Sequence, residues 1–210
     1  WLVDNVSIEG KIDDTLPTIA CALNPAAPNG NCNWYKTAVT FTATAEDNVA
    51  VGEIMYRIDG GSWKTYTGPI TISVDGEHTV EAYALDSVGN PSAMCTETFM
   101  IDTTAPTVSI TGPQNGYIYL FGRELFANPL GGTIIIGGID FSATASDAMS
   151  GIDYVSFAVD GMSYEKATSP YTIYWEKFDL LPTGYTLTVS AYDIAGNKAS
   201  DATLSFTHWL

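Results

Sequence analysis

A pair of matched segments occurs twice in this chain, and the repetition limits its fold more than any other feature. Phe41–Asp47 alternates polar and apolar residues and ends on an acidic residue, and so does Phe141–Asp147. Further along, each copy has a second alternating segment that ends in Asp-x-x-Gly-Asn, at Asp86–Asn90 and Asp193–Asn197. Alternation predicts half-buried β-strands, and Asp, Gly and Asn at their ends predict turns. The chain is therefore expected to be all-β and to contain two copies of one unit.

A second repeat marks the places where the copies join. Ile12–Thr18 and Ile101–Thr107 share the pattern Ile-Asp-x-Thr-x-Pro-Thr. Proline fixes its own φ and pushes the preceding residue toward extended geometry, so each segment is predicted to be a short, stiff connector. The expected domains are residues 14–102 and 103–210. Two insertions are expected within the second domain, at residues 115–132 and 176–183.

Residues 1–13 precede the first domain and allow two hypotheses. Trp1–Gly10 alternates like a strand, so it is either the last strand of a preceding domain followed by a linker, or a donor strand. A donor strand completes the sandwich of a neighbouring subunit, which would make the chain part of a self-assembling extracellular fibre. Asn5 begins an Asn-Val-Ser sequence and is a candidate glycosylation site.

The composition excludes several classes of function. The net charge is −16, with 8 Lys and Arg against 24 Asp and Glu, which argues against binding the phosphates of nucleic acids. No stretch approaches the ~20 apolar residues of a membrane span, so membrane insertion is not expected. With 2 histidines, a Ser-His-Asp arrangement has little to draw on, and we expect no enzyme. Apolar residues make up 46% of the chain and charged residues 15%, which is typical of extracellular β modules.

The chain's cysteines, Cys21, Cys32 and Cys95, predict one disulfide and one spare thiol. They form no Cys-x-x-Cys pair and the histidines do not cluster with them, which argues against zinc. The favoured pair is Cys21–Cys32, which would close the loop between them. The alternative is Cys21–Cys95, which would tie the first strand of the domain to the last.

Five segments of the first domain resemble the bacterial and archaeal Ig-like repeats of secreted and cell-surface proteins: Trp34-Tyr35, Tyr56–Gly60, Trp63–Pro69, Gly76–Val80 and Asp86–Asn90. The second domain resembles a related Ig-like module through Gly116–Glu124 and Asp193–Asn197. The resemblance implies two tandem immunoglobulin-like β-sandwiches joined by a short Pro-containing linker. It also implies a non-catalytic spacer, structural or adhesive role outside the cell. The resemblance implies no particular ligand, and the expected partners are neighbouring domains of a longer chain or identical subunits, with glycans or cell-surface components as further candidates.

The acidic turns are candidate calcium sites. In an Ig-type sandwich, the turn after the second strand and the turn before the last strand lie at the end where the linker arrives. Calcium binds carboxylate and carbonyl oxygens. The predicted sets are Asp102, Asp147 and Asp193 in the second domain, and Asp47 and Asp86 with Asp13 or Asp14 in the first. The alternative is that each aspartate only caps its own turn.

Exposed aromatic rings are the basis of a third hypothesis, a carbohydrate-binding accessory module of a secreted hydrolase. The candidate ligand-binding residues are Tyr117, Tyr119 and Phe121 in the first insertion and Trp175 before the second. The spacing of Tyr117, Tyr119 and Phe121 also fits one face of a strand that packs on the core.

Overall fold

The computed structural model describes residues 13–199 and 201–209, and these residues divide into two compact units. Unit 1 consists of the described residues up to Ala27 together with Ala38–Ile101. Unit 2 consists of Pro28–Thr37 and the chain from Asp102 onward. The all-β prediction is confirmed, because the described residues form strands β1 to β18 and no helix. Trp1–Gly10 and the Asn5 sequon lie outside the described residues.

Unit 1 is a β-sandwich of two antiparallel sheets. Its strands are β1 (Thr18–Asn24), β3 (Val39–Glu46), β4 (Val51–Ile58), β5 (Lys64–Thr65), β6 (Ile70–Ile72), β7 (Gly76–Asp86) and β8 (Cys95–Ile101). One sheet has the order β1-β3-β6, and in the other β8, β7, β4 and β5 follow one another. The short strand β2 (Trp34–Tyr35) belongs to residues 28–37, which group with unit 2.

The core of unit 1 follows from the alternation along β3 and β7. On β3, Val39 and Phe41 are fully buried while the residues between them stay partly exposed. On β7, Val80, Ala82 and Ala84 are fully buried in the same alternating way. Burying a valine or phenylalanine side chain contributes about 1.5–3 kcal/mol, so these two strands supply much of the stability of the sandwich.

The disulfide joins the two sheets of unit 1, and the predicted Cys21–Cys32 pair is wrong. Cys21 on β1 is bonded to Cys95 on β8, with Cα atoms 6.4 Å apart, while Cys32 is a free, exposed thiol. The short loop favoured Cys21–Cys32, but closing a longer loop adds little entropic cost. Strand placement decides the pairing, because β1 and β8 bring their cysteines within bonding distance.

We predict that removing this bond destabilises unit 1 by about 4 kcal/mol, because the bonded cysteines are 74 residues apart and the bond restricts the unfolded chain. Cys95→Ser and treatment with a reductant should lower the urea midpoint alike. Cys32→Ser is the control and should leave the midpoint unchanged. A cross-linked peptide containing Cys32, or a loss of stability in Cys32→Ser, would contradict the assignment.

His78 connects two turns of unit 1 through its ring nitrogens. It lies near the start of β7, and its ring nitrogens are 2.9 Å from an Asp59 carboxylate oxygen and 2.9 Å from the Val74 carbonyl oxygen. Both neighbours accept hydrogen bonds, so only the doubly protonated ring can donate to both. Burial lowers the pKa of His78, but the hydrogen bonds to Asp59 and Val74 outweigh burial, and the net pKa is raised above its usual value.

The raised pKa predicts a pH-dependent contribution to stability. Because protonated His78 is favoured in the folded state, the contribution is complete below the unfolded pKa of about 6.5 and is lost as the pH rises through the folded pKa. Thermal melts from pH 5.5 to 8.5 should therefore show the difference between the wild type and His78→Gln shrinking as the pH rises. A difference that is constant over this range would contradict this role of His78.

Unit 2 is a larger β-sandwich. Its strands are β9 (Thr107–Gly112), β10 (Tyr117–Leu120), β11 (Arg123–Ala127), β12 (Thr133–Ile136), β13 (Ile139–Ser146), β14 (Ile152–Val159), β15 (Met162–Lys166), β16 (Tyr171–Trp175), β17 (Thr183–Asp193) and β18 (Ala202–Trp209). The sheets have the orders β11-β10-β12-β18-β17-β14-β15 and β16-β13-β9. Residues 115–132 contain β10 and β11, which extend the larger sheet, and residues 176–182 form no strand.

Aromatic rings fill the core of unit 2. The Trp175 ring lies 5.8 Å from that of Phe141 and 5.6 Å from that of Phe206, measured between centroids. Phe141 on β13 occupies the place in its unit that Phe41 occupies on β3, so the repeated segment performs the same packing task in both units.

Candidate metal centres

Three carboxylates meet in unit 1. Asp13 precedes β1, Asp47 follows β3, and Asp86 ends β7. One oxygen from each lies within 4.8 Å of the others. Three segments that are distant in sequence therefore place negative charge at one point, and Asp13 rather than Asp14 completes the set.

Asp86 is fixed by the turn that follows it. Its Oδ1 accepts backbone N–H groups from Val88, Gly89 and Asn90 at 2.7–2.9 Å. Its Oδ2 accepts the Asn90 side-chain amide at 2.7 Å, and the same amide donates to the Asp13 carbonyl at 3.0 Å. Burial raises the pKa of Asp86, but these bonds, led by that from the Asn90 N–H, outweigh it and the net pKa is lowered. Asp86 is therefore held as a carboxylate.

Asp47 caps its turn with one oxygen only. Its Oδ2 accepts the N–H groups of Val49 and Ala50 at 2.9 and 3.0 Å. Its Oδ1 is buried and has no hydrogen-bond partner among the described residues, and the same is true of Oδ2 of Asp13. A buried carboxylate oxygen without a donor is costly and calls for a further partner such as a cation.

Unit 2 repeats this arrangement with Asp102, Asp147 and Asp193, whose oxygens also lie within 4.8 Å of one another. Asp147 Oδ2 accepts the N–H groups of Met149 and Gly151 at 2.9 and 2.8 Å. Within the part of the chain that the structure describes, its buried Oδ1 has no hydrogen-bond partner, as in Asp47. The same atom is thus left without a donor at the matching position of both units.

Asn197 connects the carboxylate of Asp193 to the backbone of Asp102. Its backbone N–H donates to Asp193 Oδ1 at 2.7 Å, and its side-chain amide donates to Asp193 Oδ2 at 2.8 Å and to the Asp102 carbonyl at 3.0 Å. Asp102 is fully buried and accepts N–H groups from Thr104 and Ser150. Burial raises the pKa of Asp193, and the nearby charge of Asp102 raises it further. Burial therefore outweighs the bonds from Asn197, and the net pKa of Asp193 is above its usual value.

Turn capping and ion binding are compatible at these residues. One oxygen of Asp47 and of Asp147 caps the turn, while the other is left for a ligand. The sets offer oxygen donors and contain no Cys or His, which suits a hard cation such as Ca²⁺ better than zinc.

The predicted aromatic platform is wrong. Tyr119 and Trp175 are only 5% and 2% exposed and belong to the core of unit 2, and Tyr117 packs against that core. Of the four residues, Phe121 alone is exposed. Because Tyr119 and Trp175 are buried, their rings cannot stack on a sugar, and Tyr117 is partly buried against the same core. Burial, followed by a hydrogen bond to Glu124, raises the pKa of Tyr119 to about 12.

Comparisons with known proteins support the fold. Residues 126–189 match the family described as "Bacterial Ig domain", which confirms the resemblance for that part of unit 2. No curated protein matches the chain. Among the described residues, no helix is long and apolar enough to cross a membrane.

Three solved structures are similar to this chain. The fibronectin(III)-like modules of CbhA from Clostridium thermocellum are 18% identical, with a TM-score of 0.44, over 90% of this chain and 94% of that one. The D00-D0 domain of Intimin is 14% identical, with a TM-score of 0.36, over 89% and 99%. Carbohydrate-binding modules from the β-sandwich superfamily are 12% identical, with a TM-score of 0.37, over 95% and 100%.

We predict that Asn197→Ala destabilises unit 2 by about 2–3 kcal/mol, because it removes the side-chain bonds to a buried carboxylate and to the Asp102 carbonyl. Urea unfolding followed by intrinsic fluorescence measures this. Asn48→Ala removes only an exposed bond to Thr15 and should change stability by less than about 0.5 kcal/mol. Equal effects of the two variants would contradict the bridging role of Asn197.

Proposed function

We propose that this chain is a non-catalytic pair of Ig-like modules in an extracellular or cell-surface protein. The modules act as rigid spacers with a structural or adhesive role. The observation that carries the proposal is the acidic cluster repeated in both units. In each unit the cluster joins the incoming segment, at Asp13 or Asp102, to two turns of that unit's sandwich. The Cys21–Cys95 bond supports a location outside the cytosol, because disulfides persist in oxidising compartments.

Calcium is the ion we propose for both clusters. Three carboxylates whose oxygens lie within 4.8 Å repel one another, and a divalent cation replaces that repulsion with attraction. Each carboxylate comes from a different chain segment, so one ion cross-links three segments. The remaining ligands are backbone carbonyls and water, which calcium commonly accepts. A module with its incoming segment fixed in this way bends less, as a spacer requires.

The environment of both histidines supports a non-catalytic role. His78 contacts Asp59 and the Val74 carbonyl, as described above. His208 is fully buried, with one ring nitrogen 2.8 Å from Asp179 and the other 3.3 Å from the Gly137 carbonyl. In both residues each ring nitrogen faces a structural acceptor, which leaves none to act as a general base.

Strand donation by residues 1–10 is a second candidate, and one observation favours it. β11 lies at the edge of its sheet with all its side chains exposed, and an open edge is what a donated strand requires. Light scattering of the chain with and without residues 1–10 tests this. Polymers that disappear on deletion would support donation, and monomers in both samples would refute it.

We predict that calcium binds once per unit and raises thermal stability. At a free concentration 100 times the dissociation constant, the folded state gains about 2.7 kcal/mol per site. Asp47→Asn and Asp147→Asn keep a capping oxygen but remove a charge, so each should abolish one of two events in isothermal titration calorimetry.

The control for these variants is Asp153→Asn, which changes an exposed aspartate on β14 outside either cluster. It should retain both calorimetric events. If the wild type binds no calcium and melts at the same temperature in EDTA as in millimolar calcium, the two proposed calcium sites are refuted.

A further inference from the structure

Residues 28–37, which we call the strap, lie against the proposed metal centre of unit 2. The Asn31 N–H donates to the Ala195 carbonyl at 2.9 Å, and the Lys36 ammonium donates to the Gly196 carbonyl at 2.6 Å. Ala195 and Gly196 belong to the turn between Asp193 and Asn197. The strap therefore contacts the turn that presents one of the three carboxylates.

The strap also contacts a second carboxylate-bearing residue. The Asp102 N–H donates to the Tyr35 carbonyl at 2.9 Å, while the Asp102 carbonyl accepts the amide of Asn197. The backbone of Asp102 is thus held on one side by the strap and on the other by the turn. The strap spans two of the three segments that supply carboxylates.

The strap and the turn fit closely. A side chain at Gly30 would place its Cβ 2.6 Å from the Ala195 carbonyl oxygen, and one at Gly196 would place its Cβ 2.9 Å from the Asn31 amide. Internal bonds fix the shape of the strap, including Asn29 to the Lys36 N–H at 2.8 Å and to the Thr37 hydroxyl at 2.9 Å. A preformed loop that docks this tightly restrains the turn beneath it.

We propose that the strap is a positioning element for the cation site of unit 2, with Lys36 as its main anchor, and that cation binding in turn tightens the docked strap. The inference rests on the proposed calcium site. The strap holds Asp193 and Asp102 at the spacing that the ion requires, although it supplies no ligand itself. Coupling between binding and docking is reciprocal, so each must strengthen the other.

The chain offers an internal control, because the equivalent turn of unit 1 has no such neighbour among the described residues. Gly89 occupies the place of Gly196, and both have positive φ, at 99° and 92°. A Cβ at Gly89 meets no atom of residues 13–199 or 201–209 within 4 Å. Gly89→Ala and Gly196→Ala therefore carry similar backbone strain, but only the second also collides with the strap.

The first test measures calcium affinity at each site by isothermal titration calorimetry. Lys36→Met keeps the apolar stem and removes the donor, and we expect it to weaken the unit 2 site about fivefold, within the usual range of coupling, while the unit 1 site is unchanged. Lys64→Met, on β5, is the control and should alter neither site. Gly196→Ala should weaken its site more than Gly89→Ala weakens the site of unit 1.

The second test follows the strap directly through Cys32, an exposed free thiol within it. An environment-sensitive fluorophore on Cys32 should respond to calcium with the midpoint of the unit 2 site. Asp147→Asn should remove the response and Asp47→Asn should keep it. Calorimetry of Cys32→Ser confirms that modifying this position leaves binding intact.

The outcomes separate this inference from the proposed function. Suppose that both sites bind calcium while the fluorescence of the Cys32 label does not change, or while Lys36→Met binds calcium as tightly as the wild type. Either result would refute this inference and leave the proposed function standing, because the strap would then be only a structural loop. If calorimetry detects no calcium binding in either unit, the proposed metal centres fail and the inference fails with them.

Discussion

The alternation of buried and exposed side chains along β3 and β13 is the constraint on which the rest of each unit depends. Both strands place phenylalanine and alanine on the core and end just before an aspartate. A slip of one residue would turn the apolar side chains to solvent and displace Asp47 or Asp147 from the acidic cluster. The pattern that builds the core therefore also positions the carboxylates of the acidic cluster.

The capping bonds prepare the carboxylates for a ligand. Because Asp47 and Asp147 each accept two N–H groups on one oxygen, the other oxygen points in a fixed direction. The side-chain amides of Asn90 and Asn197 fix the orientation of Asp86 and Asp193 by donating to their Oδ2 atoms. An ion that enters such a site has little side-chain entropy to remove, so a few ligands suffice for useful affinity.

Sequence reasoning succeeded where the signal was local and repeated. Alternation predicted the strands, and the matched turns identified the residues that the structure brings together in each cluster. It failed where a choice depended on distant packing. Both faces of Tyr117–Leu120 carry large apolar side chains, so alternation could not tell which face is the core. The pairing of Cys21 with Cys95, and the contact of Lys36 with Gly196, depend on how separate strands and loops meet.

The two clusters share a motif but differ in the burial of their carboxylates. Asp102 and Asp193 are fully buried, and the pKa of Asp193 is raised, first by burial and then by the charge of Asp102. In unit 1 Asp13 is partly exposed, and the bonds from its turn lower the pKa of Asp86 despite burial. Asp13 is therefore better solvated than its counterpart Asp102, which is fully buried. The fully buried Asp102 of unit 2 lacks that solvation, and the strap is proposed to restrain the backbone around it.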